Sequence, residues 1–290
     1  MLLLEGLNEI RQILNEEQGI ADEVSVALFD IEKKLEKAIG PSRETVVDLY
    51  GTTLKNGTFT VNIFGEVLAI DWRFFNFKKE VYKEMANIQT AQYAKKTKEN
   101  KTPKITLRIS SVRGEYDILK IYEALRHELQ HFYDDVKYRF KSRFDYNLYK
   151  LSLDMMEISH KKFNYEIGLI LYLSVKFEQQ AYLNGTYEYL VRHENPLNVR
   201  ENILETNLYK LKDELRQALA SLKRYAPDQI YQYPYSRNNL LILKKRHRLT
   251  ISKIIKIGEE TLQRLIRCIG RVLTKAEKDI SDNYKIEKYI

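Results

Sequence analysis

The sequence predicts an α+β fold, in which a small mixed β-sheet packs on one amphipathic helix and most of the remaining chain is helical. Residues 44–71 are rich in Val, Ile, Thr and aromatic side chains and are punctuated by glycines, as strands and turns are. The flanking segments carry apolar residues at a period near 3.6, which is typical of helices. We therefore expect an N-terminal helical segment (1–40), a mixed core (41–195) and a basic helical C-terminal region (196–290).

The N-terminal segment is predicted to be helical over residues 1–38. Its second apolar stripe comprises Val26, Phe29, Ile31 and Leu35, and residues 40–42 (Gly-Pro-Ser) end the helix. The first five residues lack the basic start and the small-residue cleavage site of a signal peptide. We therefore expect them to form the first turn of a helix.

The strands of the sheet are predicted from short runs of β-branched and aromatic residues. They are Thr45–Tyr50, Thr58–Phe64, Glu66–Asp71 and Ile105–Ser110. The second and third form a hairpin with its turn near Gly65. Residues 72–92, which lie between the hairpin and the last strand, are predicted to be helical.

A long helix is predicted over residues 116–137. Its apolar stripe consists of Ile118, Ile121, Tyr122, Leu125, Leu129 and Phe132. A step of two residues turns about 200° around a helix, so His127 points away from Leu125 and His131 points away from Leu129. The stripe is therefore expected to pack on the sheet, while the histidines face a cleft.

Residues 127–131 of this helix read His-Glu-Leu-Gln-His. Histidines four residues apart lie on one helix face, one turn from each other, so both imidazoles can bind a single metal ion, with zinc the usual occupant. Glu128 follows the first histidine directly and is placed to take a proton from a metal-bound water. The motif predicts a zinc site with His127 and His131 as ligands.

A catalytic zinc usually has a third protein ligand. Asp135 continues the four-residue series but would lie about 12 Å along the helix axis from His127, too far for one ion. Glu178 lies on a later predicted helix that can run antiparallel to the first, and His160 and His193 are alternative ligands. Asp134 or Asp135 could instead accept the second ring N–H of a metal-bound histidine.

The two motifs together resemble those of the gluzincin branch of the zincin metallopeptidases. Those proteins combine His-Glu-x-x-His on one helix with a glutamate ligand on a later one, often followed three residues on by alanine, as Glu178 is by Ala181. The resemblance covers roughly residues 44–190. It implies a zincin-like core, Zn²⁺ bound by His127, His131 and Glu178, and hydrolysis of peptide bonds. No glycine follows His131, which argues against the metzincin pattern.

Peptide hydrolysis also needs a donor for the oxyanion and a surface for the substrate. Tyr182 is our first candidate donor, with Tyr187 and the tyrosines of residues 225–235 as alternatives. An extended peptide can pair with an edge strand of the sheet, and Ile105–Ser110 or the preceding hairpin is expected to provide that edge.

The net charge of +8 resides in the last third of the chain, because residues 201–290 hold 19 basic and 11 acidic residues. The richest basic cluster is Lys244–Arg248, which predicts either contact with nucleic acid or another polyanion or a solvated helix face. Two other functions therefore stand beside the peptidase: a nucleic-acid-associated protein, and a structural or interaction protein with an inactive zincin core.

Two further features concern the environment of the chain. Its longest apolar runs, such as Ile167–Val175, are too short to span a bilayer, so we expect no membrane insertion. The single cysteine, Cys268, excludes a disulfide within the chain and fits a reducing compartment. Together these features favour a cytoplasmic location.

Overall fold

A computed structural model describes most of the chain, namely residues 23–39, 53–77, 90–95, 102–112, 117–138, 143–157, 163–193, 198–225 and 227–287. In this part the fold is α+β with a four-stranded mixed sheet, which confirms the predicted class at that level. The chain divides into two compact units, one up to Lys137 and one from Tyr138 onwards. Residues 1–22 and the predicted strand Thr45–Tyr50 lie outside the described residues. The domain boundaries expected near residues 40 and 195 stay predictions.

Over its described residues, the first unit contains the sheet and two helices. Its elements are α1 (23–39), β1 (Thr53–Ile63), β2 (Glu66–Phe77), β3 (Thr90–Ala94), β4 (Lys104–Val112) and α2 (Ile118–Tyr138). The strand order is β1-β2-β4-β3. The β2 and β4 strands are parallel and the other two pairs are antiparallel, so the sheet is mixed, with β1 and β3 at its edges.

The hairpin of β1 and β2 closes through two residues, Phe64 and Gly65, because Ile63 pairs directly with Glu66. Both turn residues have positive φ, 56° and 74° respectively. Two-residue hairpin turns of this hand match the twist of the flanking strands. The predicted turn near Gly65 is confirmed.

The predicted helix over residues 72–92 is wrong wherever the structure describes it. β2 continues to Phe77, and β3 begins at Thr90. Alternate β2 residues are buried, as Leu68, Ile70, Trp72 and Phe74 are, and this period of two belongs to a strand. The predicted hairpin strand therefore continues beyond Asp71, and pairing with β4 extends along its whole second half.

The buried face of α1 differs from the predicted stripe. Val26 is 70% exposed and Phe29 is 52% exposed. The core face instead consists of Val24, Ala27, Leu28, Ile31 and Leu35, which also follow helical spacing. The prediction included Val26 and Phe29 and overlooked Ala27 and Leu28, which lie on the same helix face as Ile31 and Leu35.

One hydrophobic core joins this α1 face, the sheet and α2. The predicted α2 stripe is confirmed, because Ile121, Tyr122, Leu125, Leu129 and Phe132 are buried in it and Ile118 packs at its margin. Ile105, Leu107 and Ile109 supply the β4 side of the same core. The core thus fixes the rotation of α2 about its axis, and with it the direction of the histidines.

The second unit is helical over the residues described. Its helices are α3 (Arg143–Glu157), α4 (Asn164–Ser174), α5 (Lys176–Val191), α6 (Val199–Asn202), α7 (Asn207–Lys223), α8 (Pro227–Tyr231), α9 (Pro234–Ile242) and α10 (Ile251–Glu287). The helical backbone is interrupted between α4 and α5 at Val175, which has extended backbone angles. None of the described helices has both the length and the apolar character required to span a membrane.

The α4 helix lies at the centre of this unit. Residues 167–173 are all buried, and α3, α5, α7 and α10 contact the helix. Gly168 permits the close approach of α3, because a Cβ atom there would lie 2.8 Å from the backbone oxygen of Ser152. A helix that is apolar all round is expected to be buried on all sides, as this one is.

Candidate metal centre

The two motif histidines of α2 converge on one point. Their Nε2 atoms lie 3.0 Å apart. The ring centroids are 4.7 Å apart and the ring planes are nearly perpendicular, at 83°. His127 and His131 retain only 8% and 7% exposure, respectively. Both side chains are therefore largely buried, and the cleft that they were expected to face stays a prediction.

This separation is close to the one that a shared zinc ion requires. Two nitrogens bound at about 2.0–2.1 Å with a tetrahedral angle lie about 3.3 Å apart. The observed 3.0 Å also fits a hydrogen bond from one imidazole N–H to the other ring. The geometry of the pair thus permits two states, a metal-bound pair and a hydrogen-bonded pair.

The Glu128 carboxylate lies beside the same point and is held on its other side. Its Oε1 atom is 3.9 Å from Nε2 of His127. Its Oε2 atom accepts a hydrogen bond of 2.7 Å from the backbone N–H of Tyr93 in β3. One carboxylate oxygen therefore faces the histidines while the other is fixed by the edge strand.

Tyr93 makes a second contact with α2. Its hydroxyl donates a hydrogen bond of 2.7 Å to Asp135. Burial of the phenol, together with the hydrogen bond to Asp135 and the negative charge of that carboxylate, raises the pKa of Tyr93. The sequence prediction missed this residue, because it assigned residues 72–92 to a helix and did not place an edge strand opposite the motif.

Asp134 and Asp135 each accept a hydrogen bond, the first from a residue of α2 and the second from a residue of β3. Asp134 accepts from the Gln130 side chain at 3.0 Å, and Asp135 accepts from Tyr93. The Asp135 bond joins α2 to β3, whereas the Asp134 bond lies within α2. The expectation that one of them orients a histidine ring stays a prediction.

Glu178 lies in the first turn of α5 and is fully buried, with 0% exposure. The Tyr172 phenol of α4 interacts electrostatically with this carboxylate. Burial of Tyr172, followed by the effects of Tyr182 and Glu178, raises the pKa of Tyr172 well above its usual value. The α5 helix therefore carries a buried carboxylate whose phenol partner the sequence prediction did not identify.

The three predicted ligands form one group. A nitrogen of His127, a nitrogen of His131 and a carboxylate oxygen of Glu178 all lie within 4.8 Å of one another. Among the described residues this set could hold a metal ion. His193 is outside the group and packs its ring 5.8 Å from that of Tyr189, whereas His160 lies outside the described residues.

The candidate oxyanion donors differ in their surroundings. The hydroxyl of Tyr182 lies 3.3 Å from that of Tyr172, one phenol away from Glu178. The hydroxyl of Tyr187 donates instead to Asp279 of α10 at 2.6 Å. Tyr225 and Tyr233 pack their rings on Phe163. Of these four tyrosines, only Tyr182 is linked by these contacts to a predicted metal ligand.

The predicted substrate edge requires a correction. Ile105–Ser110 forms the middle of β4, which pairs with β2 on one side and with β3 on the other, so it is not an edge. The pattern of side chains identifies a strand but does not give its place in the sheet. The hairpin strand β1 is at an edge, as is β3.

The basic cluster Lys244–Arg248 lies at the end of α9. Residues Leu243–His247 form a π-helical turn, and Arg248 ends it with a positive φ of 54°. Lys244, Lys245 and Arg246 are exposed, whereas Leu243 is buried. The cluster is a solvated surface, and its contact with a polyanion stays a prediction.

Comparison of the chain with known protein families, with curated proteins and with solved structures returned no match.

Proposed function

We propose that the chain is a zinc-dependent hydrolase of peptide bonds, in which His127, His131 and Glu178 bind Zn²⁺ and Glu128 is the general base. The observation that carries this proposal is the convergence of the two imidazoles, 3.0 Å apart, with the Glu128 carboxylate 3.9 Å from one of them. Two histidines and a carboxylate are a donor set that catalytic zinc uses, with one position left for water.

The burial of Glu178 supports its role as the third ligand. Removing an ionised carboxylate from water is costly, and buried charges in proteins are generally paired or bound to a metal. A divalent cation would compensate that charge within the same group of three side chains. The neighbouring Tyr172 phenol, which interacts with this carboxylate, would help to orient it, as partners of metal ligands usually do.

Zinc, when bound, supplies Lewis acidity, which polarises a substrate carbonyl and lowers the pKa of water towards neutrality. Glu128 accepts the proton of the attacking water on the oxygen that faces the histidines, and then delivers it to the leaving amine. The Tyr93 backbone amide fixes the other Glu128 oxygen, so the base loses little conformational freedom during the reaction. Tyr182 is proposed to donate a hydrogen bond to the oxyanion.

Metal content tests the ligand assignment. Elemental analysis of the purified chain should give one zinc per molecule. Glu178→Gln should lose at least about tenfold in zinc affinity, because the substitution removes the anionic ligand. Glu188→Gln is the matched control: Glu188 is a buried carboxylate of the same helix that pairs with Arg192, and its loss should leave zinc bound. Equal zinc in all three proteins would overturn the role of Glu178.

Cleavage of fluorescent casein tests the reaction. Glu128→Gln should retain stoichiometric zinc and lose cleavage by a factor of about 10² or more, because it keeps the shape of the side chain and removes the base. If the wild type binds zinc but cleaves no peptide, the peptidase proposal is wrong, and the metal-site proposal still holds.

The hydrogen-bonded state of the histidine pair supports a second candidate, a metal-free interaction protein with an inactive core. The same Nε2–Nε2 distance of 3.0 Å carries it. In that case the purified chain contains no zinc after incubation with the metal, the wild type cleaves no casein, and His131→Gln changes only the stability.

A further inference from the structure

A row of cations runs along one face of α10. Arg267, Arg271, Lys275 and Lys278 recur every three or four residues and are all exposed. This spacing places them on one side of the helix, at intervals of about 4.5–6 Å along its axis. We call these four residues the α10 stripe. It is separate from the Lys244–Arg248 cluster and from the candidate metal centre.

The acidic residues near the stripe already have partners. Glu277 pairs with Arg200 at 3.0 Å. Asp279 accepts the hydrogen bond from Tyr187 at 2.6 Å. The segment from Arg267 to Lys278 contains no acidic residue other than Glu277. This segment thus holds four cations and one acid, Glu277, which is paired with Arg200, so the stripe keeps a net positive charge.

The stripe borders a shallow groove with a volume of about 910 Å³, lined by the four cations together with Gly270 and Thr274. No apolar side chain lines this groove. A groove lined by cations and small residues binds mainly through charge, and guanidinium groups match phosphate oxygens especially well. A membrane-surface helix would instead present apolar side chains beside its cations.

We propose that the α10 stripe binds the phosphate backbone of a nucleic acid without reading its sequence. A linear row of cations in an open groove is complementary to a linear polyanion, and each neutralised phosphate releases counterions. Lys275 lies 4.6 Å from the ring of Tyr187, so an aromatic face adjoins the row. This binding is independent of the proposed hydrolysis.

Fluorescence anisotropy with labelled 20-nucleotide single-stranded DNA, and with the matching duplex, tests the proposal. The stripe variant carries Arg267→Gln, Arg271→Gln, Lys275→Gln and Lys278→Gln. The matched control removes the same number of charges from exposed cations outside both basic groups, as Lys37→Gln, Lys210→Gln, Arg224→Gln and Lys256→Gln. Both variants alter exposed side chains, and circular dichroism verifies that each remains folded.

The stripe variant should bind at least about tenfold more weakly at 100 mM salt, and its slope of log K against log salt should fall by about 3 on single strands. The control variant should bind within about twofold of the wild type. The relative affinities for single strand and duplex then identify the preferred form of the same phosphodiester ligand.

Three results would overturn the proposal: equal losses in both variants, no binding by the wild type at 50 mM salt, or tighter stripe-dependent binding to phosphatidylserine vesicles or polyglutamate than to DNA. If the fourfold stripe variant misfolds, the double variant Arg267→Gln with Lys278→Gln replaces it and removes the two ends of the row. A loss of DNA affinity smaller than twofold in the double variant would contradict the proposal.

Discussion

Tyr93 and Glu128 are joined by a hydrogen bond of 2.7 Å from a backbone amide of the edge strand to a carboxylate oxygen of the motif helix. Because the donor belongs to the backbone, it persists whatever side chain occupies position 93. The hydroxyl of the same tyrosine reaches Asp135, two turns further along α2. One residue of β3 thus holds α2 at two points, one of them beside the candidate metal centre.

Tyr93→Phe is expected to separate these two contacts. It removes the hydroxyl bond to Asp135 and keeps the amide bond to Glu128. Hydrogen bonds to charged groups contribute about 1.5–3 kcal/mol when buried, and since this pair is part-buried we expect a loss of about 1–2 kcal/mol in the free energy of unfolding. Urea denaturation measures the loss, while zinc content should remain that of the wild type.

The control for this variant is Tyr165→Phe, which removes a hydroxyl bond of similar length to Glu214 at an exposed position. Water replaces an exposed partner readily, so its loss should be smaller, under about 1 kcal/mol. Equal losses at the two positions would show that burial of the Tyr93 bond has no energetic effect.

Gly168→Ala should destabilise the protein although alanine is the better helix former. The new methyl group would lie 2.8 Å from the Ser152 carbonyl oxygen and 2.9 Å from Cγ of Met156. Overpacking of this kind costs about 1–3 kcal/mol, which exceeds the gain in helix propensity of about 1 kcal/mol. Thermal and urea denaturation report the difference.

Gly270→Ala is the matched control in α10. A Cβ atom there meets no atom within 4 Å, so only the helix propensity changes. The free energy of unfolding should rise by about 0.5–1 kcal/mol. A loss of stability at Gly270, or a gain at Gly168, would contradict the packing of these helices.

The corrected face of α1 predicts unequal costs for two adjacent residues. Leu28 is fully buried, with 0% exposure, so Leu28→Ala should cost about 2–5 kcal/mol. Phe29 is 52% exposed and lies under the Lys33 ammonium, so Phe29→Ala should cost under about 1 kcal/mol. If Phe29→Ala proved the more costly, the stripe predicted from the sequence, which includes Phe29, would be the right one.

Asp71 predicts a pH dependence of stability. Burial is the largest single effect and acts to raise its pKa, but hydrogen bonds from Thr58 and Lys104 and the charges of Lys104 and Arg73 outweigh it, so the pKa of Asp71 lies below its usual 3.8. A lowered folded-state pKa means that the carboxylate stabilises the fold above pH 3.8 and that this contribution is lost as the pH falls through the folded-state pKa.

The comparison of wild type with Asp71→Asn measures this contribution. The wild type should be the more stable protein at pH 6, and the difference should shrink between about pH 4 and pH 2. The gap is expected to be small, because the pair with Lys104 is about one-third exposed and screened by solvent. A difference that grows on acidification would have the wrong sign.

Local spacing was enough to predict part of the site. The four-residue interval between His127 and His131, set against Leu125 and Leu129, predicted which way the histidines point, because both follow from helix geometry alone. The position of Glu178 came from a resemblance and not from spacing. Its complete burial could not be predicted, since an amphipathic reading of α5 allows a surface glutamate equally well.

The predictions failed where tertiary pairing decides the structure. Residues 90–94 became β3 through pairing with β4, although their local pattern suggested no strand. Tyr172 was overlooked because it lies in an apolar run, and only the interruption at Val175 brings it to Glu178. Neither the order of strands in a sheet nor the angle between successive helices can be read from local periodicity.

The joint at Val175 fixes more than the end of one helix. A single residue separates α4 from α5. The rotation of α5 about its axis is therefore fixed relative to that of α4. One inserted residue would turn α5 by about 100° and carry Glu178 away from Tyr172. The length of this junction is therefore a constraint on insertions and deletions that no individual side chain in it reveals.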